Sequence, residues 1–398
     1  MGQQSGGRVI ETQVGIVGAG PAGLMLSHLL AQEGVDSAVV DIRDPETIRH
    51  THRAGILEAA SVRMLTDTGV DGRVLTEGHE HRGTTLRYDG QNHHIDFQDA
   101  VGQSVWLYPQ NEVFWDLYQA RQRDGGTLFW SVMDTAVHDI ETRNPRITFT
   151  DEDGQATEIS ARIVVGADGS RSMCRQLIPE DVRTEHFIEY PFAWFGILCE
   201  APPSWPELIY ANSEAGFALI SQRSETVQRM YFQCDPQTDV ADWSDERIWA
   251  RLQECVQGSD GFRLEQGRIF DKTVLKFRSY VCEPLRHHSL VLVGDAGHTV
   301  PPTGAKGLNL AFSDVRVVAP ALVSLLRDGN PQLLAGYSAA ALERVWKAQN
   351  FSYWATSMMH TVEGENSFEQ QRRRGQLRSI TDSEHGRAYF AECYTGWQ

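Results

Sequence analysis

The sequence predicts an α/β protein built around a Rossmann-like dinucleotide-binding domain. Three segments support this fold. A glycine-rich turn joins a short apolar strand to a helical pattern near the N-terminus, and two later apolar strands each end on an aspartate beside a glycine. A dinucleotide site requires only the first segment, so the other two predict a cofactor that extends along the sheet.

The glycine-rich turn has the full context of a dinucleotide fingerprint. Residues 14–17 form an apolar strand, residues 18–23 match G-x-G-x-x-G, and residues 24–32 carry leucines at helical spacing. A second apolar run, 38–40, ends on Asp41. This order of strand, turn, helix and strand disfavours the alternative of a glycine turn without a ligand.

Each glycine of the fingerprint has its own physical task. Gly18 permits the tight turn, Gly20 lets the backbone approach a pyrophosphate, and Gly23 lets the helix pack closely against the strand. Free N–H groups at the helix N-terminus face the phosphates. Asp41 is expected to accept hydrogen bonds from a ribose diol. The fingerprint alone leaves both FAD and NAD(P) open as the bound dinucleotide.

The two later strands favour FAD. Residues 163–169 form an apolar strand that ends in Asp168 and Gly169, and residues 290–298 contain another that ends at Asp295. Residues 301–309 then supply a rigid turn and a helix start. A flavin cofactor needs all of them, because its ribityl chain and ring system must be held as well as its phosphates.

These motifs together resemble those of the class A flavin monooxygenases. Residues 207–212, 221–224 and 300–311 are similar to segments of the 4-hydroxybenzoate 3-monooxygenase (para-hydroxybenzoate hydroxylase) family, and the similarity extends from about Thr12 to Gly396. The resemblance implies an FAD-binding domain interleaved with a mainly antiparallel substrate domain, followed by a helical C-terminal region that takes part in a homodimer. The expected boundaries are 12–81, 104–180 and 278–330 for the FAD-binding domain, 82–103 and 181–277 for the substrate domain, and 331–398 for the C-terminal region.

The resemblance also implies which residues contact FAD. Asp295 would hold the ribityl hydroxyl groups, and the helix that begins near Leu308 would direct its N-terminal dipole at the flavin and stabilise negative charge there. The implied FAD contacts are Gly18, Gly20, Ala22, Gly23, Asp41, Arg53, Ala54, Gly55, Gln110, Asp168, Asp295, Gly304, Leu308 and Asn309.

The reduced coenzyme, NADH or NADPH, is expected to meet an arginine-rich patch. At the places where NADPH-dependent members of the family carry an arginine and a tyrosine for the 2′-phosphate, this sequence has Ile42 and Thr47. Asp44 and Glu46 add negative charge nearby. We therefore expect NADH to be used at least as well as NADPH. The implied patch consists of Arg43, Arg53, Arg171, Arg175 and Arg278.

Arg223 marks the predicted substrate pocket. It lies in the largely apolar, strand-like run 217–223, where a guanidinium is costly unless a carboxylate pairs with it. The residues alone leave an internal ion pair and a bound ligand equally open. The resemblance favours the ligand, a benzoate carboxylate held in bidentate fashion, with hydrogen bonds from Ser221 and Tyr231. An apolar wall that excludes water would consist of Trp194, Leu208 and Leu219.

A chain of hydroxyl and imidazole groups is implied at the other end of the substrate ring. Tyr210 and Tyr394 would hydrogen bond in series to the substrate phenol, and His81 would carry the proton toward solvent. A phenol with a pKa near ~10 stays protonated at neutral pH, whereas its phenolate accepts an electrophilic oxygen faster. Taken alone, each tyrosine is more typical of a core aromatic, and His81 of a solvated loop. The same resemblance places the carbonyl of Pro302, and Thr303, beside the reacting ring.

Composition restricts the classes of partner. The sequence has 36 Lys and Arg against 53 Asp and Glu, a formal net charge of -17, which repels nucleic acid and anionic membranes. A local arginine must therefore attract any anionic substrate. No run of 18 apolar residues is present, and the six cysteines are scattered without metal-ligand spacing. We expect a cytoplasmic enzyme that binds no metal, nucleic acid or membrane.

The implied function is that of an FAD-dependent aromatic hydroxylase. It would use NAD(P)H and O2 to convert 4-hydroxybenzoate to 3,4-dihydroxybenzoate (protocatechuate). A related para-substituted benzoate, such as 4-aminobenzoate or a ring-substituted 4-hydroxybenzoate, would suit the same arginine clamp. A non-hydroxylating FAD-dependent reductase or a ligand-binding sensor would keep the fold, but neither needs a chain that deprotonates a phenol.

Overall fold

The glycine turn lies at the carboxyl end of a central strand in a six-stranded sheet. The strands Val14–Val17, Ser37–Val40 and Ile163–Gly166 are buried along their length, as expected of parallel strands covered on both faces. Neighbouring strands are parallel except at one edge. In spatial order the sheet consists of Arg286–His287, Leu290–Leu292, Ile163–Gly166, Val14–Val17, Ser37–Val40 and Thr127–Phe129. This computed structural model describes residues 8–51, 55–362 and 364–397.

The helices begin where the sequence supplies a start signal. Pro21–Gln32 has a proline in its first turn, and the side chain of Ser244 caps the helix Asp245–Val256. The α-helices of the described ranges are Pro21–Gln32, Pro45–Arg49, Ala59–Thr66, Arg73–Thr76, Phe97–Val101, Gln110–Arg123, Asp245–Val256, Lys306–Asp328, Gln332–Ala335, Tyr337–Met359, Ser367–Thr381 and Glu384–Thr395. Short 3-10 helices are Arg175–Leu177, Val240–Asp242 and Gly294–Ala296.

The largest sheet has eight strands and is mainly antiparallel. Its two longest strands, Thr184–Glu200 and Arg268–Glu283, pair with each other along most of their length. The second of them crosses residue 277, where the sequence places a domain boundary, so one continuous strand joins the two predicted domains. In spatial order the strands are His298–Thr299, Arg268–Glu283, Thr184–Glu200, Val227–Cys234, Gly216–Gln222, Ile209–Ser213, Gly83–Tyr88 and Gln91–Asp96.

Alternating side chains give the large sheet two apolar faces. One face, which includes Trp194, Tyr210 and Tyr231, packs against the C-terminal helices. The other face, which includes Ile209 and Ile220, packs against the helix Asp245–Val256. The predicted pocket residues therefore lie on the face that meets the C-terminal helices.

Two smaller sheets complete the fold. A four-stranded sheet consists of Arg8–Glu11, Ala156–Ser160, Arg146–Thr150 and Met133–His138. A three-stranded sheet consists of Ile56–Glu58, Val105–Leu107 and His79–His81. The second of these places His81 at the end of a strand instead of in a solvated loop.

The helix Lys306–Asp328 belongs to the core. It is long and apolar enough to cross a membrane, with a mean hydropathy of 1.4 over its most apolar window, but 61% of that window is buried inside the protein. Its apolar residues pack with the six-stranded sheet in one core cluster. The predicted α/β class is confirmed, with a Rossmann-like sheet, a mainly antiparallel sheet and a helical C-terminal region.

Candidate active site

Packing constrains two positions of the glycine turn and leaves a third open. A Cβ atom at Gly18, where φ is 103°, would collide with the carbonyl of Ala167, and one at Gly23 would collide with the carbonyl of Gly18. A Cβ atom at Gly20 would meet nothing within 4 Å. The helix that follows has no side-chain cap, and Ala22 lies in its first turn. This open backbone with uncapped N–H groups fits a bound pyrophosphate.

Asp41 is buried and already accepts hydrogen bonds from the protein. Its carboxylate receives the backbone N–H of Ala19 at 2.8 Å and that of Arg43 at 2.9 Å. The guanidinium of Arg43 adds a bond of 3.2 Å. Asp41 therefore ties the second strand to the glycine turn, and a ribose would share the carboxylate with these donors.

Asp168 closes the turn after its own strand. One carboxylate oxygen accepts the hydroxyl of Ser172 at 2.6 Å, and the other accepts the backbone N–H of Cys174 at 3.1 Å. The side chain that the sequence assigns to the cofactor is thus used largely by the turn itself.

Asp295 lies in a turn that a buried ion pair supports from behind. Asp314 accepts the backbone N–H of Gly294 at 2.8 Å and Nε2 of His298 at 2.7 Å. Burial opposes a charge on His298, but the Asp314 carboxylate outweighs it and raises the pKa of His298. The turn that carries Asp295 is therefore held in place before a cofactor binds.

Asn309, a predicted FAD contact, lies near the start of the helix Lys306–Asp328. The side-chain oxygen of Asn309 accepts the backbone N–H of Glu58 at 2.9 Å and the hydroxyl of Ser61 at 2.7 Å. Its amide donates to the carbonyls of Ile56 and Ala305. This amide therefore anchors the helix, and the groups left for a flavin are backbone N–H groups of the first turn, near Leu308.

Arg53 and Ala54 lie outside the described residues. Their neighbour Gly55 packs tightly, because a Cβ atom there would collide with the carbonyl of Tyr108. The backbone N–H of Tyr108 also donates to the carbonyl of Gly55 at 2.7 Å. Gln110 begins a helix two residues later, so the structure brings Gly55 and Gln110 to one place.

The predicted coenzyme patch is only partly exposed. Arg175 is buried and donates to the carbonyls of Ala296 and Ser170, so its guanidinium is used within the protein. Arg278 is exposed and also reaches the carbonyl of Ser170 at 3.4 Å. Arg171, the next residue, is exposed as well. Arg171 and Arg278 therefore remain together as predicted coenzyme contacts.

The predicted substrate residues are aligned across the large sheet. Tyr210 pairs with Leu219, and Leu219 pairs with Tyr231, so these side chains form a row on one face. Arg223 directly follows the strand Gly216–Gln222, which carries Leu219. It donates a 2.8 Å hydrogen bond to Asn111, which lies beside Gln110. Burial, and then the nearby Arg229, lower the pKa of Arg223.

Ser221 and Tyr231, the other predicted carboxylate contacts, both have side chains that contact Arg229. The hydroxyl of Ser221 donates to the carbonyl of Arg229 at 2.7 Å. A substrate carboxylate would need this same hydrogen, so Ser221 must rotate before it can bind one. Tyr231 is buried, and the guanidinium carbon of Arg229 lies 5.2 Å from the centre of its ring.

The hydroxyl groups of Tyr210 and Tyr394 lie 2.9 Å apart. Both side chains are buried, although 184 residues separate them in sequence. Burial raises the pKa of Tyr210 to about 12, although hydrogen bonds to Tyr394 and to the backbone of Gly304 act to lower it. Burial raises the pKa of Tyr394 as well. Both hydroxyls therefore stay protonated and can pass a proton along a hydrogen bond without carrying a lasting charge.

The turn at residues 302–304 is held from the C-terminal region. The carbonyl of Pro302 accepts the backbone N–H of Ala305 at 2.9 Å. Thr356 donates its hydroxyl to that of Thr303 at 2.8 Å. A Cβ atom at Gly304 would collide with the ring of Phe351. The helix Tyr337–Met359 thereby fixes the turn whose backbone contacts Tyr210.

His81 is buried at 1% exposure. Its Nε2 lies 3.1 Å from the side-chain amide of Gln222, and its described contacts do not include a hydrogen bond to either tyrosine. Its Nδ1 is buried without a partner among the described residues. Burial lowers the pKa of His81 to about 4, so the resting imidazole is neutral.

A buried ion network holds the C-terminal segment beside this site. Lys306 donates to Glu58 at 2.8 Å and to the carbonyl of Tyr394 at 2.7 Å. Arg344 donates to the other oxygen of Glu58 at 2.9 Å and to the carbonyl of Trp397 at 2.6 Å. The sequence reasoning did not find this network, because its residues show no shared motif or spacing.

One group of metal-donor side chains exists among the described residues, outside this site. Glu141, His287 and His288 place donor atoms within 4.8 Å of one another at the edge of the six-stranded sheet. Of the three, only His287 is partly buried.

Residues 11–352 match the model of a family described as FAD binding domain. The chain is 38% identical over 390 residues to p-hydroxybenzoate hydroxylase of Acinetobacter baylyi, covering 98% of this chain and 96% of that protein. It is also 24% identical over 339 residues to a probable NADH-specific resorcinol 4-hydroxylase of Rhodococcus jostii, covering 82% of this chain and 61% of that protein.

Solved structures share the fold. The p-nitrophenol 4-monooxygenase of Pseudomonas putida superposes with a TM-score of 0.82 at 17% sequence identity, covering 98% of this chain and all of that one. A ternary complex of aklavinone-11 hydroxylase with FAD and aklavinone superposes with a TM-score of 0.72 at 19% identity, covering 88% and 69% of the two chains.

Proposed function

Because this chain belongs to the FAD binding domain family, as a class A flavin monooxygenase, we propose that it hydroxylates 4-hydroxybenzoate beside the phenol. FAD is its cofactor, and NAD(P)H and O2 are its co-substrates. In the proposed reaction one oxygen atom of O2 enters the ring to give 3,4-dihydroxybenzoate. The other leaves as water, and NAD(P)H supplies the two electrons. The 38% identical relative that is named p-hydroxybenzoate hydroxylase supports this choice of substrate.

The buried pair of tyrosine hydroxyls is the observation that carries the proposal. A flavoprotein reductase has no use for two phenol groups 2.9 Å apart that face the substrate side of the sheet. A hydroxylase of phenols does, because the ring becomes a better nucleophile when its own hydroxyl loses a proton. Positioned proton transfer of this kind contributes about 10²–10⁴-fold to a rate.

The chain's residues divide the work along one face of the large sheet. Arg223 binds the carboxylate, with Tyr231 close to it, while Tyr210 accepts the phenol proton and passes it to Tyr394. Trp194, Leu208 and Leu219 are buried beside this row and keep water out. The Gly20 turn and the first turn of the helix Lys306–Asp328 would hold FAD, which when bound would activate O2 for transfer of one oxygen atom in electrophilic form.

The test is coenzyme oxidation with product analysis. Purified holoenzyme is mixed with NADH or NADPH, with and without 4-hydroxybenzoate, and the products are separated. We expect strong stimulation and one 3,4-dihydroxybenzoate per coenzyme oxidised. Stimulation that yields only hydrogen peroxide would mean that the ring fits but is not the substrate. No stimulation would refute 4-hydroxybenzoate and direct the search to 4-aminobenzoate and ring-substituted relatives.

We also propose that NADH is used at least as well as NADPH. The side chain of Arg43 is paired with Asp41, and Arg49 lies 3.9 Å over the ring of Trp115. Asp44 and the exposed Glu46 would repel a 2′-phosphate. The ratio of kcat/KM for the two coenzymes tests this proposal, and a preference for NADPH of tenfold or more would refute it.

A homodimer that acts in the cytoplasm completes the proposal. Trp346 and Tyr353 are 42% and 48% exposed on one helix, and Trp346 contacts His186, next to the exposed Phe187 and Ile188. Exposed apolar groups of this size favour contact with a second copy. Free cysteines at all six positions suit a reducing compartment. Light scattering of the purified enzyme distinguishes a dimer from a monomer.

A further inference from the structure

Glu207 lies just before the strand that carries Tyr210, and its carboxylate spans two environments. One oxygen accepts the backbone N–H groups of Arg82 at 2.8 Å and Gly83 at 2.9 Å, directly after His81. The other oxygen accepts Nε2 of His94 at 2.8 Å. The side chain of Glu207 is 16% exposed, whereas that of His94 is 48% exposed. The carboxylate therefore connects the backbone beside a buried imidazole to an imidazole in solvent.

The same segment is held against the tyrosine pair. The backbone N–H of Phe97 donates to the carbonyl of Arg82 at 2.6 Å, and the ring of Phe97 stacks on that of Tyr394 at 4.9 Å. The side-chain amide of Gln222 lies 3.1 Å from Nε2 of His81, and Gln222 Oε1 and His81 Nδ1 are both buried without a partner in the described part of the chain. With the Gln222 amide turned so that Oε1 accepts Nε2–H, the lone pair of Nδ1 is available to accept a proton. A buried ring nitrogen without a partner is uncommon, and at His81 it leaves one position of the imidazole open to a relayed proton.

Electrostatic interactions link these groups. Burial lowers the pKa of His81, and the Glu207 carboxylate acts against it by favouring the imidazolium. The same carboxylate contributes to the raised pKa of Tyr394, after burial and Tyr210. Its hydrogen bond raises the pKa of His94. Glu207 is thus close enough to act on the tyrosine pair, on His81 and on the exposed His94.

We propose that Glu207 and His94 complete the path by which the substrate proton reaches solvent. This inference rests on the proposed function. The proton leaves the phenol oxygen, passes the hydroxyls of Tyr210 and Tyr394, and crosses a bridging water to Nδ1 of His81. From His81 it passes by water to His94, which releases it to solvent. Glu207 stays ionised throughout and stabilises the transient imidazolium, so it acts as a positioning residue.

The other charged groups near this path are His79, Asp96 and Arg82. His79 lowers the pKa of His81, and Asp96 raises that of His94 after the effects of Glu207 and burial. Arg82 is exposed and contributes its backbone to Glu207. The test variants leave these three residues in place.

The experiment follows proton release directly. Oxidised holoenzyme is mixed with 4-hydroxybenzoate in a stopped-flow instrument without coenzyme, and the absorbance of the bound phenolate is recorded over a range of pH. Glu207→Gln keeps an oxygen for the two backbone N–H groups but removes the charge. His94→Gln removes the exposed imidazole. Glu200→Gln is the matched control, because Glu200 is an exposed carboxylate of the same sheet, paired with Arg268.

We expect Glu207→Gln to slow phenolate formation at high pH by about tenfold or more, with FAD content and substrate affinity unchanged. The pH dependence adds a second signature. Since Glu207 raises the pKa of His94, His94 cannot accept a proton until the pH exceeds that raised value. The rate in the wild type therefore increases as the pH rises through it. In Glu207→Gln this increase moves to lower pH, and in His94→Gln it disappears.

An unchanged rate and pH profile in Glu207→Gln would overturn the inference. So would an equal effect of Glu200→Gln, since a general change of surface charge would then be sufficient. Failure of the proposed function shows differently, as absence of hydroxylated product in the wild type. The ionisation assay needs no oxygen transfer, so the two failures remain distinguishable.

Discussion

Replacing Lys306 by Met tests the buried ion network that holds Tyr394. The ammonium group is 1% exposed and makes hydrogen bonds of 2.8 Å to Glu58 and 2.7 Å to the carbonyl of Tyr394. Removing one partner of a buried pair costs about 3–5 kcal/mol, because the other charge is left uncompensated. Arg344 still contacts Glu58, so we expect a loss near the lower limit, about 3 kcal/mol.

The double variant Lys306→Met with Glu58→Gln separates charge from packing. With both charges gone the desolvation cost of Glu58 falls, but Arg344 loses its carboxylate partner, so we expect part of the lost stability to return. The hydrogen bond to the Tyr394 carbonyl does not return, so hydroxylation should stay slow in both variants. Lys347→Met serves as the control. Lys347 is exposed and pairs with Glu343, one turn away on the helix Tyr337–Met359, and an exposed ion pair of this kind contributes less than about 1 kcal/mol to stability.

The assay is urea unfolding of the holoenzyme, followed by circular dichroism, alongside the rate of product formation. A loss below about 1 kcal/mol in Lys306→Met would contradict a buried pair. A double variant no more stable than the single one would refute the assignment of the cost to the buried Glu58 charge. Full hydroxylation activity in the double variant would refute the role in holding Tyr394.

Three further predictions concern the cofactor turn and the two ends of the substrate. Gly20→Ala should fold normally but bind FAD at least about tenfold more weakly, a loss of about 1.4 kcal/mol in binding free energy. Gly23→Ala should instead lower the Tm of the apoenzyme. Equal melting temperatures of the two variant apoenzymes would contradict the packing argument. Tyr210→Phe should slow hydroxylation by about 10²–10⁴-fold while the KM for 4-hydroxybenzoate changes little, and a rate near that of the wild type would exclude the hydroxyl pair from catalysis. Arg223→Gln should raise the KM for 4-hydroxybenzoate by about tenfold or more, and the KM for an uncharged phenol such as 4-hydroxybenzaldehyde should rise far less if Arg223 binds the carboxylate.

The sequence predicted the parts of the fold that local motifs encode. The strands around the glycine turn and the two aspartate turns follow from short apolar runs, and all of them belong to the six-stranded sheet or its ends. The row from Tyr210 through Leu219 to Tyr231 depends on strand register, which no local pattern reveals. Its residues were found only through resemblance to a family.

Two residues that the sequence predicts as ligand contacts have side chains that also serve the fold. Asn309 and Arg175 were assigned to the cofactor and the coenzyme, but the protein's own backbone and side chains use their polar groups. The pairing of Lys306 with Glu58 crosses 248 residues of sequence, and Glu207 meets His94 across 113. Contacts of that separation depend on the folded topology, so a single sequence cannot show them.

The ionisation state of bound 4-hydroxybenzoate tests the central claim most directly. The substrate is titrated into oxidised wild-type holoenzyme at neutral pH, and its ultraviolet difference spectrum is compared with those of the free phenol and phenolate. Free phenols ionise near pH ~10. The Tyr210–Tyr394 pair predicts a clear phenolate signal well below that pH, which is lost in Tyr210→Phe. A substrate that binds and is hydroxylated while fully protonated, with the same spectrum in both proteins, would contradict the account.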